Sequence, residues 1–447
     1  MITEESKGIM HWLKESIVIK LICIGVLILV LLIPSVWVSN LINERAGRQQ
    51  QIINEVSDQW SDSQLIKGPV LVIPYKRQIR ELDANQKQIT REVIENIYTL
   101  PNQLHINAAL QTSKLHRGIF DVVVYNSQVN VSGNFISPNL AKLSIMPEQL
   151  MPEKARLLFS ITDLKGLKTN PSVKVNGTQL NAEPVLNSKD GFGGGLQVDL
   201  NLSNVTNGTI PFSFMLDMKG SQSLDFLNLG QTTDVTVKGN WNSPSFSGRN
   251  LPDNRQVNDK GFSAKWKMLG YNRPFPQQWA ADDTVLLNNK SLADATFGVK
   301  LHVPVDDYTK TTRTNKYSIL IIVLTFISLF LTELIRRQKV HIFNYMLIGA
   351  AMIIYYTLLL SFSEQVGYNW AYLIASVATL GLISSFTASL LQNKAAAGMF
   401  TFILTVFYGF IYVIIQLEDL SLMVGSIALF IIIAILMYFS RKINWDR

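Results

Sequence analysis

Six charged side chains carry most of the chemistry this sequence offers at a membrane: Glu364, Glu418, Asp419, Glu333, Arg313 and Lys316. Each lies within or beside a long apolar run, where an ionised group is costly to hold away from water and is ordinarily paired or put to use. Glu364 closes one run, and Glu418-Asp419 occupy the short turn between the last two. With the runs crossing a bilayer alternately, these three carboxylates reach one face, together with Arg313 and Lys316 just ahead of the second run. The pattern predicts a charge cluster that clamps an extramembrane domain to a helix bundle. Proton-linked or ligand-binding work, and plain solvation, are the alternatives. Glu333 lies near the other end of its run, with Arg336 and Arg337 three and four residues on, a spacing that pairs opposite charges on a helix. A proton relay needs further carboxylates or histidines at mid-depth, and the C-terminal runs contain none.

Enzymatic patterns are poor. The five histidines, His11, His105, His116, His302 and His341, are far apart, and none has metal-ligand spacing. There is no GxSxG elbow and no Walker motif, and Gly191-Phe192-Gly193-Gly194-Gly195 precedes no helical pattern that would make it a phosphate loop. Asp282-Asp283 and Asp306-Asp307 read as solvated loop charge. The single cysteine, Cys23, excludes an internal disulfide and a cysteine-based metal site. No catalytic residue, metal or cofactor is expected. Net charge is +7, but no Arg/Lys cluster interleaved with aromatics points to nucleic acid. Trp266, Tyr271 and Trp279, near Pro274 and Pro276, could mark a binding edge, although a β core explains Trp266 equally well.

These residues hang on six apolar runs: Ile17–Val38, Tyr317–Ile335, Ile342–Phe362, Trp370–Leu391, Met399–Leu417 and Leu420–Phe439. Each is near the ~20 residues that a helix needs to cross ~30 Å of hydrocarbon. The first resembles a signal-peptide core, but bulky Val36-Trp37-Val38 offers no small-x-small cleavage site, so an uncleaved anchor is expected. Pro34 is expected to bend it at most. Basic residues set the orientation. Lys7, Lys14, Lys20, Arg336, Arg337, Lys339, Lys394, Arg441, Lys442 and Arg447 fall on one side. Ser363–Asn369 and Gln416–Ser421 on the other side have no Lys or Arg. Arg45, Arg48, Lys310, Arg313 and Lys316 weaken the bias but flank a long domain, which translocates largely regardless of charge. Both termini inside and the large domain outside is the expected topology. Tyr355, Tyr356, Tyr408 and Tyr412 are expected to pack between spans, and Gly349, Gly381 and Gly409 to mark close helix approach.

After the first span, Ile42, Ala46, Ile52, Ile53, Val56 and Trp60 keep a helical period, predicting an amphipathic stalk that Gly68-Pro69 breaks before strand-like Val70–Pro74. From there short alternating or β-branched runs recur at Phe120–Val124, Val129–Phe135, Arg156–Ile161, Leu196–Leu202, Ile210–Leu216, Val235–Trp241, Phe262–Trp266 and Phe297–Val303. Asn176-Gly177 has the chemistry of a tight hairpin turn. The expected fold is membrane α plus soluble β. A cytoplasmic N-terminus (1–16) leads into one N-terminal membrane helix (17–38), a stalk (39–62) and a large β-sandwich-like domain (63–303), in which Gly191–Gly195 joins two halves. A polar linker (304–316), a C-terminal five-helix bundle (317–440) and a cytoplasmic tail (441–447) follow.

Several stretches together resemble the CreD family of bacterial inner-membrane proteins. They are Gly68-Pro69-Val70-Leu71-Val72-Ile73-Pro74-Tyr75; Trp241 with Ser243-Pro244-Ser245-Phe246-Ser247-Gly248 and Leu251-Pro252; and Gly261-Phe262 with Ala264 and Trp266. In the membrane part they are Leu359-Leu360-Ser361-Phe362-Ser363-Glu364 with Ala371-Tyr372, and Gln416-Leu417-Glu418-Asp419-Leu420 with Gly425-Ser426. The resemblance implies an inner-membrane protein with residues 39–316 in the periplasm. It also implies a part in cell-envelope integrity and stress response (β-lactam response, colicin tolerance), with no established catalysis. The expected partners are the lipid bilayer and an envelope protein or polymer of unknown identity, not nucleic acid. A small-molecule or ion transporter running through the C-terminal bundle is the alternative, although such proteins usually break their helices at mid-membrane. A membrane-bound enzyme acting on envelope polymers is a third reading, without a residue constellation to carry it.

Overall fold

The structure, a computed structural model, describes residues 17–82, 88–185, 192, 194–203, 208–281, 284–301, 307–336, 340–417 and 421–440. It divides into two compact units, Met1–Gln50 with Val305–Arg447, and Gln51–Pro304. An N-terminal apolar helix, a central β unit and C-terminal apolar helices bear out the α-plus-β reading.

The first helix, α1 (Ile17–Trp60), runs for 44 residues, and Pro34 does not interrupt it. Among the described residues, the remaining helices of the membrane unit are α2 (Asp307–Lys316), α3 (Ser318–Arg336), α4 (Ile342–Val366), α5 (Tyr368–Leu391), α6 (Lys394–Gln416) and α7 (Ser421–Ser440). By length and composition, α1, α4, α5 and α6 are each apolar enough to cross a bilayer. The pair α2 and α3, bent by 42°, makes a fifth candidate taken as one span, and Met423–Ala434 within α7 is a shorter apolar stretch.

The expected polar linker before the second run is corrected: its described part is helical. Asp307 stands in the first turn of α2, with Arg313 and Lys316 in the last, and both signs complement the helix dipole. Thr311 and Thr314 donate to the carbonyls of Asp307 and Lys310, and Tyr308, Thr311, Thr314 and Asn315 are buried. Among the three glycines expected at helix contacts, Gly349 alone meets a neighbouring helix. A Cβ there would stand 2.3 Å from Leu31 of α1, whereas at Gly381 and Gly409 nothing lies within 4 Å.

The β unit consists of a nine-stranded and an eight-stranded sheet that share one core. Strand Thr209–Ser221 shows why. Its even residues Ile210, Phe212, Phe214, Leu216 and Met218 are buried while the odd positions up to Met215 are exposed, the period-2 pattern of a sheet with one covered face. Each such side chain contributes about 1.5–3 kcal/mol on burial. Phe212 and Phe214 meet Phe135 and Phe159 at ring-centroid distances of 4.9 and 4.6 Å.

The run Val70-Leu71-Val72-Ile73 has no alternation because both faces are covered. Leu71 and Ile73 enter the shared core, and Val70 and Val72 enter a second core with Tyr98, Phe275, Trp279 and Leu286. Gly68-Pro69 does not separate stalk from strand as expected. The strand already begins at Gln64, and the register shifts between Lys67 and Val70. Gly68 has φ +108°, and a Cβ there would press within 2.9 Å of the Leu158 carbonyl, so glycine is required. Phe120–Val124 and Val129–Phe135 likewise belong to one strand, Phe120–Ile136. The Asn176-Gly177 turn forms as expected, with φ +47° and +87° between Val175 and its partner Thr178. Gly194 and Gly195 lie in a turn whose amides donate to Val185 and Phe192; Gly191 and Gly193 fall outside the described residues.

Candidate functional site

Three groups of polar side chains in the membrane unit lie at the two ends of α4 and at its middle. Tyr345 and Glu364 of this helix are 19 residues apart, about 28 Å at the helical rise of ~1.5 Å per residue. That is close to the ~30 Å of a bilayer's hydrocarbon core.

At the N-terminal end, Glu333 of α3 is buried at 8% exposure. It forms a salt bridge with Lys20 of α1, accepts from the Tyr345 hydroxyl at 3.0 Å and from the Val340 amide at 3.2 Å. Lys20 also donates to the Val340 carbonyl at 2.7 Å, and its ammonium stands 5.7 Å from the Tyr345 ring centre. A cation on Glu333 thus comes from another helix; of the expected partners, Arg337 and the Arg336 side chain lie outside the described residues. A single cation inside one apolar run and a single carboxylate near the C-terminal end of another were the available signal.

At the opposite end, Glu364 accepts from the Tyr308 hydroxyl at 2.8 Å and faces Arg45 at 3.9 Å. Of the expected clamp, the structure describes Glu364, Arg313 and Lys316. Both basic residues stand on α2, Arg313 half-buried and Lys316 exposed, and Arg45 of α1 also brings a cation to Glu364. Glu418 and Asp419 fall outside the described residues. Nearby, Thr314 and Tyr368 share a 2.7 Å hydrogen bond, and Gln416 donates to Asn369 at 2.7 Å. These contacts seat α2 on the ends of α4, α5 and α6. Ser35 of α1 and Ser318, the first residue of α3, are joined at 2.9 Å.

Between the two ends lies a group of tyrosines from three helices. Tyr355 packs edge-on against Tyr356, Tyr372 and Tyr408 at centroid distances of 4.9, 6.0 and 5.0 Å. The Tyr372 hydroxyl donates to the Tyr408 carbonyl at 2.7 Å. Interhelical packing, the expectation for Tyr355, Tyr356 and Tyr408, holds, and Tyr412 is half-buried beside Tyr372.

In the β unit, the expected binding edge dissolves into core. Trp266 is 2% exposed, and Trp279 stacks on Tyr98 at 5.3 Å, leaving Tyr271 alone at the surface with 96% exposure. His105 faces Asp234 at 3.4 Å, and His116 pairs with Asp121. Among the described residues no group of three or more His, Cys, Asp or Glu is placed to hold a metal. The Tyr75 hydroxyl donates to Glu95 at 2.5 Å; burial first, then this bond and the carboxylate's charge, push its pKa up to about 12.

The model of the family described as Inner membrane protein CreD matches residues 16–446. The chain belongs to the CreD family. Inner membrane protein CreD of Escherichia coli (strain K12) is 26% identical over 433 residues, covering 97% of this chain and 94% of that relative. With its apolar helices, this CreD-family chain is a multi-pass protein of the inner membrane. The family match agrees with the resemblance that the sequence carries.

Proposed function

We propose that this CreD-family protein supports cell-envelope integrity under stress, acting without catalysis through a β unit that stands in the periplasm, with both termini cytoplasmic. The observation that carries the reading is similarity to an inner-membrane CreD protein along helices and strands alike, covering 97% of the chain. The charge bias supports the orientation: Lys394 and Arg336 fall toward one end of the helices, and Glu364 with the Lys/Arg-free Ser363–Asn369 connection at the other. On this reading α1 and the α3–α7 helices cross the membrane six times. The β unit acts by binding an envelope protein or polymer, and the membrane helices anchor it.

In a bacterium lacking its own family member, the full chain should restore tolerance to a β-lactam or a colicin. Gly133→Ala, which disrupts the β unit while sparing the helices, should insert in the membrane and fail to restore tolerance. A photo-crosslinking residue at exposed Tyr271 in the active chain should trap an envelope component. Full tolerance from a Gly133→Ala chain whose β unit has become protease-sensitive would contradict the reading.

A further inference from the structure

Strands Gln64–Leu82 and Gln88–Thr99 continue as a two-stranded arm after the rest of their sheet has ended. From Lys76 opposite Ile94 to Leu82 opposite Gln88, they pair only with each other among the described residues. A two-stranded ribbon is marginal in water on its own. Its first strand is partly capped: Pro74 and Lys76 offer their carbonyls to the Met151 amide at 2.9 Å and the Gln149 side chain at 3.1 Å. Its second strand is open. Strand Gln278–Ala280 covers Thr99 to Ile97, and Ala281 donates to the Asn96 carbonyl at 3.1 Å. Ala281 itself takes φ +59°, a value that ends the strand. From Glu95 back to Gln88 this edge has no ladder partner among the described residues. Because Asn96 turns its carbonyl outward, alternation points the N–H and C=O groups of Ile94, Glu92 and Thr90 outward too.

Exposed edges are ordinarily blunted by proline, a bulge or lysine. Gln88–Glu95 has no proline, glycine or lysine, its register with the first strand is unbroken, and Ile89 and Ile94 are 43% and 62% exposed. Its charges are of both signs: exposed Arg91, which has no carboxylate partner among the described residues, with Glu92 and Glu95. The spacing selects the partner. An antiparallel copy of the same strand, related by a two-fold at Val93, sets Arg91 against Glu95 of the partner subunit, and does so twice. Glu92 and Ile94, whose backbone groups point outward, then fall in hydrogen-bonded pairs, and the two copies of Val93 face each other. A two-fold at Arg91 or Glu92 opposes like charges, and one at Ile94 makes no ion pair. Glu95 already accepts from Tyr75 at 2.5 Å and Arg77 at 3.2 Å, and a carboxylate has lone pairs for another donor. We propose that this edge is a homodimer interface, two copies joining along Arg91–Glu95 into a four-stranded ribbon. The contact is small, but copies held in one membrane meet at an effective concentration that offsets its size.

Disulfide trapping of the full chain in its membranes, in a Cys23→Ala background, tests this. Val93→Cys places two thiols across the two-fold, in a pair whose Cα atoms stand about 4.5 Å apart, within disulfide reach. Ile89→Cys, on the same edge and more exposed, is set about 27 Å along the strands from its counterpart. Mild oxidation should therefore link Val93→Cys into a dimer and leave Ile89→Cys unlinked. Co-expressed Glu92→Cys and Ile94→Cys chains should link to each other, a second readout that does not need the Val93→Cys chain to fold. Adding Arg91→Glu to Val93→Cys turns both ion pairs into repulsions and should remove most of the linked dimer. Arg80→Glu, the same charge change on the exposed face of the first strand, should leave it unaltered. Ile89→Cys linking as readily as Val93→Cys would reveal random collision and overturn the proposal. So would a Val93→Cys yield that Arg91→Glu leaves unchanged, no link in either arrangement, or a linked product carrying another protein in place of the second copy.

Discussion

Replacing Lys20 by methionine tests how much of the membrane unit rests on a single ion pair between helices. Methionine fills a similar volume but leaves Glu333, 8% exposed, with two neutral donors, Val340 N and the Tyr345 hydroxyl. Removing one partner of a buried pair ordinarily costs about 3–5 kcal/mol, because the other charge is stranded. The Lys20 side chain is 21% exposed and that of Glu333 10%, so water screens part of the loss and the lower end, about 3 kcal/mol, applies. That corresponds to roughly a hundredfold shift toward the unfolded state. Glu333→Gln in the Lys20→Met background removes the stranded charge and keeps an oxygen for both donors, so most of the loss should return. Glu333→Gln alone should cost less than Lys20→Met, since Lys20 keeps the Val340 carbonyl and its long stem lets the ammonium reach outward. Reversible unfolding in mixed micelles, followed by helix content, ranks the four proteins. Lys20→Met unfolding like the unmodified chain, or a double variant no better than Lys20→Met, would refute the reasoning.

Four further outcomes are expected. Tyr308→Phe should destabilise α2 docking by about 1.5 kcal/mol, because a hydrogen bond to a charged group is lost. Arg45→Gln, a 3.9 Å half-exposed pair, should cost under about 0.5 kcal/mol; a larger loss from Arg45→Gln than from Tyr308→Phe by thermal unfolding would show that the cation, not the phenol, holds Glu364. Gly133→Ala should destabilise the β unit by about 3 kcal/mol or more, since its Cβ would stand 2.0 Å from the Gln103 carbonyl and 2.9 Å from the Phe212 ring; limited proteolysis of 51–304 reads this out. Tyr75 has a folded-state pKa raised to about 12 from an ordinary 10, so the stability it lends is whole below pH 10 and lost as pH climbs through 12. Tyr75→Phe should flatten that part of the stability curve, and an unchanged alkaline limb would show that the hydroxyl is not its source.

The apolar runs were legible because burial in lipid demands a near-continuous stretch, and all six fall on helices. Alternation made Ile210–Leu216 and Phe262–Trp266 legible as strands. Glu364 was legible as an anchoring point, since a carboxylate closing an apolar run needs a partner. Which partner was not legible. Arg45 and Lys20 are 319 and 313 positions from the carboxylates they meet, and no local spacing encodes such a choice. The helix α2 was hidden because its threonines and asparagine read as linker, while in the fold they bond carbonyls and neighbouring helices.

The central claim is that the β unit and the Lys394 connection lie on opposite sides of the inner membrane. With Cys23, the sole cysteine, replaced by alanine, single cysteines at exposed Asp259 and exposed Lys394 can be labelled with a membrane-impermeant maleimide. In cells whose outer membrane alone is permeabilised, the cysteine replacing Asp259 should react at once, and the one replacing Lys394 only after the inner membrane is broken. Labelling in the reverse order would contradict the account.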